Sequence, residues 1–290
     1  MREIHLMAQR PDAEVAALEG TFLRDDSYDF LVPQEPTAVY KPNGELLLKY
    51  LPGALSMSVV APAYEELKKV KGDASNRGTA AGVRARRAVR GDGKRSNTTQ
   101  VDKREAKHLV GVGSAIVGAF ERSDARFPIC RLTAFNLEHP EQFARAIPFF
   151  QEVDRVFKRE VPERHQAQME RVQETHPAWV IHGTSFTTVT VNRAFRTGVH
   201  RDVGDLKEGF GVMTAMRAGN FEGCYLVFPA FRVAVDMRTR GVLLADVHQW
   251  HGNTELRGMP GQFQRISCVL YYRAKMRACK SPEEEVEIAK

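Results

Sequence analysis

His200-Arg201-Asp202, followed downstream by His251 and then by Arg265-Ile266-Ser267, is the pattern that decides how this 290-residue chain folds. Two imidazoles and one carboxylate form the facial triad that binds non-haem Fe(II) and leaves three coordination positions open. Because side chains alternate along a strand, His200 and Asp202 point to the same side and can reach one metal from a single strand end. His251 has to come from elsewhere in the sheet. The pattern predicts an Fe(II) site; a surface turn plus a satisfied core histidine is the alternative.

An arginine that comes 14 residues after His251 extends the pattern. A guanidinium can hold a carboxylate through two parallel hydrogen bonds, so Arg265 is predicted to bind the distal carboxylate of 2-oxoglutarate. Ser267 lies two residues further on the same strand face and can donate a second hydrogen bond, although a simple strand hydroxyl fits the position as well. Together these residues predict an oxygenase that depends on Fe(II) and 2-oxoglutarate and consumes O2.

His248 is an alternative to His251 as the third metal ligand. A buried strand over Gly241–Asp246 leads into the segment that contains both histidines. Residues three apart on an extended segment face opposite sides, so only one of the two is expected to bind iron. His251 directly precedes Gly252-Asn253, a turn signal that places it at a strand edge beside a cavity. We therefore predict that His251 is the ligand. His248 is expected either to pack in the protein interior or to contact a metal ligand without binding the metal itself.

The stretch Thr190–Asp205 resembles the metal-binding segment of the TET/JBP family, which comprises the ten-eleven translocation methylcytosine dioxygenases and the base-J thymidine hydroxylases. Gly241–Asp246, His251–Leu256 and Arg265–Tyr272 continue the resemblance, which covers about residues 180–275. The chain is similar to the short viral or microbial members of that family. The resemblance implies a virus-encoded enzyme, such as one of a bacteriophage, that acts in the host cell.

The same resemblance implies oxidation of the 5-methyl group of 5-methylcytosine in duplex DNA to 5-hydroxymethylcytosine, or further, with ascorbate as the reductant. The target base would be flipped out of the duplex. Asp205 and Tyr271 stand at family positions that contact the target base, and Asn192 is assigned to the same substrate site. TET enzymes carry asparagine in place of Asp205 and histidine in place of Arg273, so these two positions depart from the family.

An ionised Asp205 accepts hydrogen bonds only, which favours the N4 amino group of cytosine over the O4 atom of thymine. The departure from the TET pattern keeps thymine hydroxylation open as the alternative reaction. Asp205 can also be explained as a turn cap, and Tyr271 as a core aromatic on a buried strand.

Positive charge is concentrated in one segment of the chain. Residues 68–107 hold 13 Lys and Arg against four Asp and Glu, a balance of +9, whereas the whole chain carries +6. The segment mixes glycine with arginine and is poor in large apolar residues, which is typical of a mobile surface arm. We expect Arg84, Arg86, Arg87 and Arg90 to contact DNA phosphates. A solvated linker is the alternative interpretation.

The composition fits one large core with extensions, since 43% of the 290 residues are apolar. Four cysteines without C-x-x-C spacing argue against structural zinc and against a disulfide framework, and they suit a reducing cytosol. We find neither a signal-peptide pattern nor an apolar run of roughly 20 residues, which predicts a cytoplasmic protein without a membrane span. No protein partner is evident.

The patterning predicts an α+β fold, with a double-stranded β-helix core of jelly-roll or cupin type and a packed helical layer. An Asn-Gly turn predicts a hairpin over Thr37–Tyr50. A short helix is expected over Pro62–Val70. The expected core strands are Val180–Asn192, Gly211–Arg217, Gly223–Phe228, Val233–Asp236, Gly241–Asp246 and Gln264–Tyr272.

An amphipathic stripe predicts helix over Pro140–Glu174, kinked or divided at Pro148 and Pro162. Ser281 and the acids after it resemble a helix start near the C-terminus. We therefore divide the chain into three parts. They are an N-terminal extension (residues 1–110), the helical layer with the dioxygenase core (residues 111–275) and a C-terminal tail (residues 276–290).

Two other functional classes remain open. An oxygenase that acts on a free metabolite, a nucleotide or a protein residue would share the iron residues without needing the basic segment. A DNA-binding module with a lapsed oxygenase site is less favoured, because a lapsed site has no physical reason to keep the triad and Arg265. Turnover of 2-oxoglutarate that is stimulated by duplex DNA, but not by nucleoside or peptide, separates these classes.

Overall fold

The computed structural model describes residues 1–72, 77–82, 113–122 and 128–290. The strands within these residues are β1 (Arg2–His5), β2 (Phe30–Leu31), β3 (Thr37–Tyr40), β4 (Leu46–Leu51), β5 (Gly113–Phe120), β6 (Arg131–Leu132), β7 (Thr188–Arg193), β8 (Gly211–Gly223), β9 (Leu226–Phe228), β10 (Val233–Val235), β11 (Val242–Ala245), β12 (Gly252–Asn253) and β13 (Leu256–Tyr271). The helices are α1 (Asp12–Ala16), α2 (Met57–Leu67), α3 (Ala134–Glu138), α4 (Pro140–Glu160), α5 (Pro162–Gln173) and α6 (Pro282–Ile288).

These strands form two sheets. The larger sheet has nine strands in the order β1-β3-β4-β11-β8-β13-β7-β5-β6, and the smaller sheet has four in the order β12-β9-β10-β2. Within the larger sheet β13 is antiparallel to both β7 and β8, so that Ser267 lies opposite Asn192 on one side and Ala215 on the other. This pairing brings residues from the end of the chain next to residues from its middle.

Helices cover one face of the larger sheet, and the smaller sheet packs against the other. Along β13, Ile266, Cys268 and Leu270 point into a hydrophobic core shared with α2 and α4. Alternation turns Arg265 and Ser267 to the opposite face, where they line a cavity. A second core lies between the sheets and combines residues of β3, β4, β8 and β11 with residues of β9 and β10. The predicted α+β fold, with a jelly-roll core and a packed helical layer, is confirmed.

The predicted hairpin over Thr37–Tyr50 is confirmed as β3 and β4. Gly44 lies in the turn at a φ of +84°, in the left-handed region that favours glycine. β4 also pairs with β11, so the hairpin continues the larger sheet. The boundary predicted at residue 110 falls outside the described residues, and the division of the chain into three parts stays a prediction.

The long helical stretch is divided at Pro162, as predicted, whereas α4 continues through Pro148. The predicted helix start at Pro62 was wrong, because α2 begins earlier, at a capping serine. The hydroxyl of Ser56 accepts a hydrogen bond from a backbone N–H of the first turn at 3.2 Å, and Pro62 lies inside the helix. In the part of the chain that is described, no helix combines the length and the apolar character that a membrane crossing requires.

The strand predicted over Val180–Asn192 is much shorter in the structure, where β7 begins only at Thr188. Thr184 explains the difference. Its hydroxyl donates to the Ile181 carbonyl at 2.8 Å and accepts from the Phe186 N–H at 3.1 Å, which closes a turn in place of a strand.

β8 and β13 are longer than the sequence predicts. Instead of ending at Arg217 and beginning at Gln264, the two strands stay paired out to Gly223 and Leu256. A register shift within Gly258–Phe263 interrupts this pairing. Such an irregularity breaks the two-residue alternation by which a strand is recognised in a sequence.

Cys130 and Cys279 form a disulfide across a sequence separation of 149 residues, with their Cα atoms 5.8 Å apart. The cysteine spacing, which argued against a disulfide framework, did not predict this single bond, since only the fold brings the two cysteines together. The carboxylate of Glu285, on α6, lies beside the disulfide. It accepts hydrogen bonds from the backbone N–H of Cys130 at 2.9 Å and from that of Lys280 at 2.8 Å. The predicted helix start at Ser281 is confirmed as a capping box.

Candidate metal centre

The structure brings His200, Asp202 and His251 together. The two histidines face each other in an isolated antiparallel bridge, with backbone hydrogen bonds of 2.9 and 3.0 Å in the two directions. Asp202 follows in a loop, where its N–H donates to the Val247 carbonyl at 3.1 Å. One ligand atom from each of the three residues lies within 4.8 Å of the others. The expected strand end is thus replaced by a single bridge and a loop, but the side chains still converge.

The hydrogen bonds of the two imidazoles fix which nitrogen faces the centre. His200 Nδ1 lies 2.8 Å from the Gly198 carbonyl, and His251 Nδ1 lies 2.9 Å from the Gln249 carbonyl. Because a carbonyl only accepts, each Nδ1 carries the hydrogen and each Nε2 keeps its lone pair. Both Nε2 atoms lie 3.6 Å from an oxygen of Asp202. This is the orientation that metal-binding histidines need.

The electrostatics of the three residues suit a divalent metal. Burial, and then the neighbouring imidazole of His251, lower the pKa of His200 to about 4. Burial opposes the ionisation of Asp202, but the two histidines hold the pKa of this carboxyl below its usual value. Burial would likewise lower the pKa of His251, but Asp202 raises it above the usual value. Two imidazole nitrogens and one carboxylate match the donor set of a non-haem Fe(II) site.

A contact outside the cavity links the two segments that carry the ligands. Arg201 stands between His200 and Asp202 in sequence, and Trp250 directly precedes His251. One carboxylate oxygen of Asp12, on α1, forms an ion pair with Arg201 and accepts a hydrogen bond from Trp250 Nε1 at 3.0 Å. The guanidinium of Arg201 also lies over the indole ring, 4.2 Å from its centre. We call this group the Asp12 brace.

His248, the alternative third ligand, lies elsewhere. Its backbone N–H donates to Asp246 Oδ1 at 3.2 Å, and its Nε2 lies 3.4 Å from the Leu206 carbonyl. His251 lines the cavity, whereas His248 is not among the residues that form the cavity wall. The geometry therefore favours His251.

The cavity beside the three residues encloses about 810 Å³, counting its open mouth. Arg265 and Ser267 line its wall together with the predicted metal ligands. Arg265 is only 4% exposed, and its Nη1 donates to Ser267 Oγ at 3.2 Å. It forms no ion pair with any residue of the described ranges. Since a buried charge without a partner is costly, this guanidinium is suited to an anion that enters the cavity.

Tyr271 and Asn192 lie at two different places along the cavity floor. The Tyr271 hydroxyl shares a hydrogen bond of 3.0 Å with the Thr190 hydroxyl. Asn192 is the cross-strand neighbour of Ser267, and its Oδ1 accepts from the Ser114 hydroxyl at 2.6 Å. The register of β7 and β13 thus puts Asn192 at the Arg265 end of the floor and Tyr271 further along it.

Asp205 also lines the cavity, in surroundings that oppose its ionisation. Its Oδ1 lies 3.8 Å from Arg273 Nη1, and its Oδ2 is buried without a hydrogen-bond partner among the residues described. Burial, and then the charge of Asp202, raise the pKa of this carboxyl well above its usual value, against the opposing effect of Arg273. The structure therefore does not support the ionised Asp205 on which the predicted preference for cytosine rested. The side chain faces the cavity instead of capping a turn.

Two further charged groups line the cavity wall: Arg77, which the sequence did not assign to the site, and Arg273, which it identified only as a departure from the TET pattern. Arg273 forms a bidentate ion pair with Glu121 of the segment after β5, and its guanidinium lies 4.8 Å from the Phe120 ring centre. Arg77 donates to the Thr190 hydroxyl at 3.2 Å and has no ion pair within the described part of the chain. Arg273 lies two residues beyond the end of β13 and follows Arg265 by an even number of residues, so alternation continued past the strand end turns it to the same side. Nothing in the sequence separates Arg77 from the other cations of the basic segment.

The four arginines expected to contact DNA phosphates, Arg84, Arg86, Arg87 and Arg90, lie outside the described residues. That expectation stays a prediction.

Three comparisons with known proteins agree with this geometry. Residues 117–274 match the family model Tet_JBP, described as the oxygenase domain of the 2OGFeDO superfamily. Thymine dioxygenase JBP1 of Trypanosoma brucei brucei is 34% identical over 170 residues, which cover 58% of this chain and 20% of that protein. Thymine dioxygenase JBP1-B of Trypanosoma cruzi (strain CL Brener) is 36% identical over 166 residues, which cover 56% and 20%. The chain thus spans about a fifth of the length of these curated relatives.

A solved structure, NgTET1 in complex with 5mC DNA, superposes with a TM-score of 0.58 at 13% identity, over 92% of this chain and 88% of that chain. At this identity the likeness shows a shared fold. The family model, in contrast, matches more than half of the chain and includes all three residues of the candidate metal centre. The chain therefore belongs to the Tet_JBP family, the oxygenase domain of the 2OGFeDO superfamily.

Proposed function

We propose that this protein is an Fe(II)- and 2-oxoglutarate-dependent dioxygenase that oxidises the 5-methyl group of a pyrimidine in DNA. One observation carries the proposal: the ligand atoms of His200, Asp202 and His251 converge in the cavity that also holds the buried Arg265, which has no ion pair within the described residues. Family membership supports the metal and the co-substrate. The named activity of the curated relatives, thymine dioxygenase, supports a pyrimidine base as the substrate.

The triad would hold Fe(II) through His200 Nε2, His251 Nε2 and a carboxylate oxygen of Asp202. Bound iron supplies the activation of O2, coupled to decarboxylation of 2-oxoglutarate to succinate and CO2. Arg265 binds the distal carboxylate of 2-oxoglutarate through charge-assisted hydrogen bonds. Ser267 already accepts from Arg265, so its own hydroxyl hydrogen is free to be donated to the same carboxylate. The geometry of these residues, held by the sheet, orients the co-substrate.

Tyr271, further along the cavity floor, is proposed to pack against the target base. Its hydroxyl is held by Thr190, so the ring is fixed in one orientation. A base within a duplex cannot reach a buried aromatic ring, and the reaction therefore requires the nucleotide to be flipped out of the stack. Asn192, beside Ser267, is proposed to separate the co-substrate from the base.

Two bases are candidates for this end of the cavity. 5-Methylcytosine is favoured where Asp205 acts as an acceptor for the N4 amino group. Thymine is favoured by two observations, the thymine dioxygenases among the relatives and the raised pKa of Asp205. A protonated carboxyl can donate to the O4 atom of thymine, which an ionised one cannot. We therefore propose both bases as candidates and keep the 5-methyl group of a pyrimidine as the common substrate.

Mass spectrometry of nucleosides separates the two candidates. The protein is incubated with Fe(II), ascorbate and 2-oxoglutarate and with duplex DNA that contains both 5-methylcytosine and thymine. Oxygen gained on one base and not on the other assigns the substrate, and the Asp202→Ala variant serves as the control that should show neither product. Succinate that accumulates without any change in either base would contradict the DNA proposal and favour a free metabolite or a protein residue.

A further inference from the structure

The loop after Asp202 and the turn after β13 lie side by side at the edge of the cavity. The N–H of Ala274 donates to the Gly204 carbonyl at 3.1 Å, which joins the two segments through their backbones. We call residues 203–207 and 273–280 together the cavity rim. Because backbone hydrogen bonds join the two segments, the rim forms one continuous surface.

The two segments also meet through side chains that line the cavity. Asp205 and Arg273 are bridge partners in the backbone, and both belong to the cavity wall. A Cβ at position 204 would come within 3.0 Å of the guanidinium of Arg273, so glycine leaves room for that side chain to lie against the loop. Arg273 is in turn held by Glu121. The rim is therefore continuous with the proposed base site.

The rim as a whole has an uneven charge composition. It contains five Lys and Arg and a single acid, the buried Asp205. Lys207, Lys275 and Arg277 are exposed and have no ion pair within the residues that the structure describes. Val203 is 83% exposed, which is unusual for an apolar side chain in a loop held on both sides. The rim thus presents one apolar tip beside exposed cations, Lys280 among them, that have no ion pair within the described residues.

We propose that the cavity rim is the surface on which duplex DNA docks, with Lys207, Lys275 and Arg277 against phosphates and Val203 in the gap left by the extruded base. This proposal rests on the proposed function. Lysine and arginine that neutralise phosphates release counterions and supply sequence-independent affinity. An apolar side chain inserted next to a disturbed base step stabilises a distorted duplex. Val203 is suited to this role because it follows Asp202 directly and therefore stands next to the proposed reaction centre.

Duplex binding measured against salt concentration tests the three cations. The full-length chain is titrated onto a fluorescent duplex with one 5-methylcytosine at several salt concentrations, and the slope of log affinity against log salt is compared between variants. The rim variant carries Lys207→Gln, Lys275→Gln and Arg277→Gln. Its slope should be smaller by up to about 2.7, since each lost phosphate contact removes about 0.9.

A matched control loses the same charge elsewhere. Arg155, Lys158 and Arg159 are exposed on α4, which packs against the other face of the larger sheet, and the control variant changes all three to Gln. This variant should keep the slope of the unchanged protein. If the rim variant keeps that slope as well, the rim proposal is overturned while DNA binding stands. If the unchanged protein neither binds nor oxidises DNA, both the rim proposal and the proposed function fail.

Val203→Ser tests the apolar tip. The ratio of oxidation rates on duplex and on single-stranded DNA should fall about fivefold or more in this variant, since a single strand has no stack to open. Fluorescence of 2-aminopurine next to the target base should report less extrusion. An unchanged ratio together with unchanged fluorescence would remove Val203 from the proposal.

Discussion

Arg265→Met is expected to change ligand affinity and protein stability in opposite directions. Methionine keeps much of the length of the side chain but removes two charge-assisted hydrogen bonds to the co-substrate. Such bonds contribute about 1.5–3 kcal/mol each, so at least about 3 kcal/mol of binding free energy should be lost. That loss corresponds to an affinity for 2-oxoglutarate that is weaker on the order of 100-fold.

The stability effect follows from burial. Arg265 is 4% exposed and forms no ion pair within the described ranges, so in the free protein its burial is offset by a hydrogen bond to Ser267 but by no counter-charge among those residues. Replacing an uncompensated buried charge by an apolar side chain is neutral or stabilising. The melting temperature of the variant without ligand should therefore be equal to or higher than that of the unchanged protein.

Calorimetry under anaerobic conditions, with Mn(II) in place of iron, measures the affinity for 2-oxoglutarate, and thermal melting measures stability. Arg217→Met is the matched control, since Arg217 lies opposite Arg265 on β8 but is paired with Asp236 at 2.6 Å. That variant should lose stability and keep its affinity for 2-oxoglutarate. The reasoning is refuted if Arg265→Met binds 2-oxoglutarate normally, or if it melts well below the Arg217 variant.

Three more predictions concern the metal centre. Asp202→Ala should lose tight binding of Fe(II) or Mn(II) while its circular dichroism stays unchanged; normal metal affinity in this variant would contradict the assignment. Asp12→Asn should weaken metal affinity by about threefold to tenfold and alter the visible spectrum of bound Co(II), because the Asp12 brace orients the ligand segments. Since the brace does not touch the metal, this loss should be smaller than the roughly 10- to 100-fold loss typical when a direct partner of a metal ligand is removed. Asp29→Asn, which breaks an exposed ion pair with Arg232, is the control and should leave the metal affinity and the spectrum unchanged. Below the raised pKa of His251, metal affinity should fall about tenfold per pH unit, because the metal displaces one proton from this imidazole, whereas His200, with a pKa of about 4, is already neutral. Calorimetry at several pH values measures this dependence. A roughly hundredfold fall per pH unit near neutral pH would mean that both imidazoles are protonated and would contradict the prediction.

The sequence predicted those elements in which apolar residues recur every two residues, as in strands, or every three to four residues, as in helices. The β3–β4 hairpin, the helix break at Pro162 and the core strands near residues 211–272 carry such periods, and the structure contains all of them. β5 was missed because its Gly113–Phe120 run is rich in glycine and alanine and lacks a clear alternation. Its register against β7 comes from long-range pairing, which a local pattern does not contain.

Residues of the candidate site were predictable where they lie on one strand or within one short sequence motif. Arg265, Ser267 and Tyr271 share a face of β13 by simple alternation, and the structure places all three in the cavity wall. Arg77 and Asp12 were not predictable, since each reaches the site from a segment more than 100 residues away in sequence. The ionisation of Asp205 depends on burial and on the distance to Asp202, and neither is encoded in the spacing of the motif.

The measurement that tests the central claim most directly is isotope incorporation under ¹⁸O₂, with Fe(II), 2-oxoglutarate and methylated duplex DNA, followed by mass spectrometry of both succinate and nucleosides. A dioxygenase of this type should place one labelled atom in succinate and one in the hydroxymethyl group of the oxidised pyrimidine, in equal amounts before solvent exchange. Labelled succinate with unlabelled and unchanged bases, or no labelled succinate at all, would contradict the account.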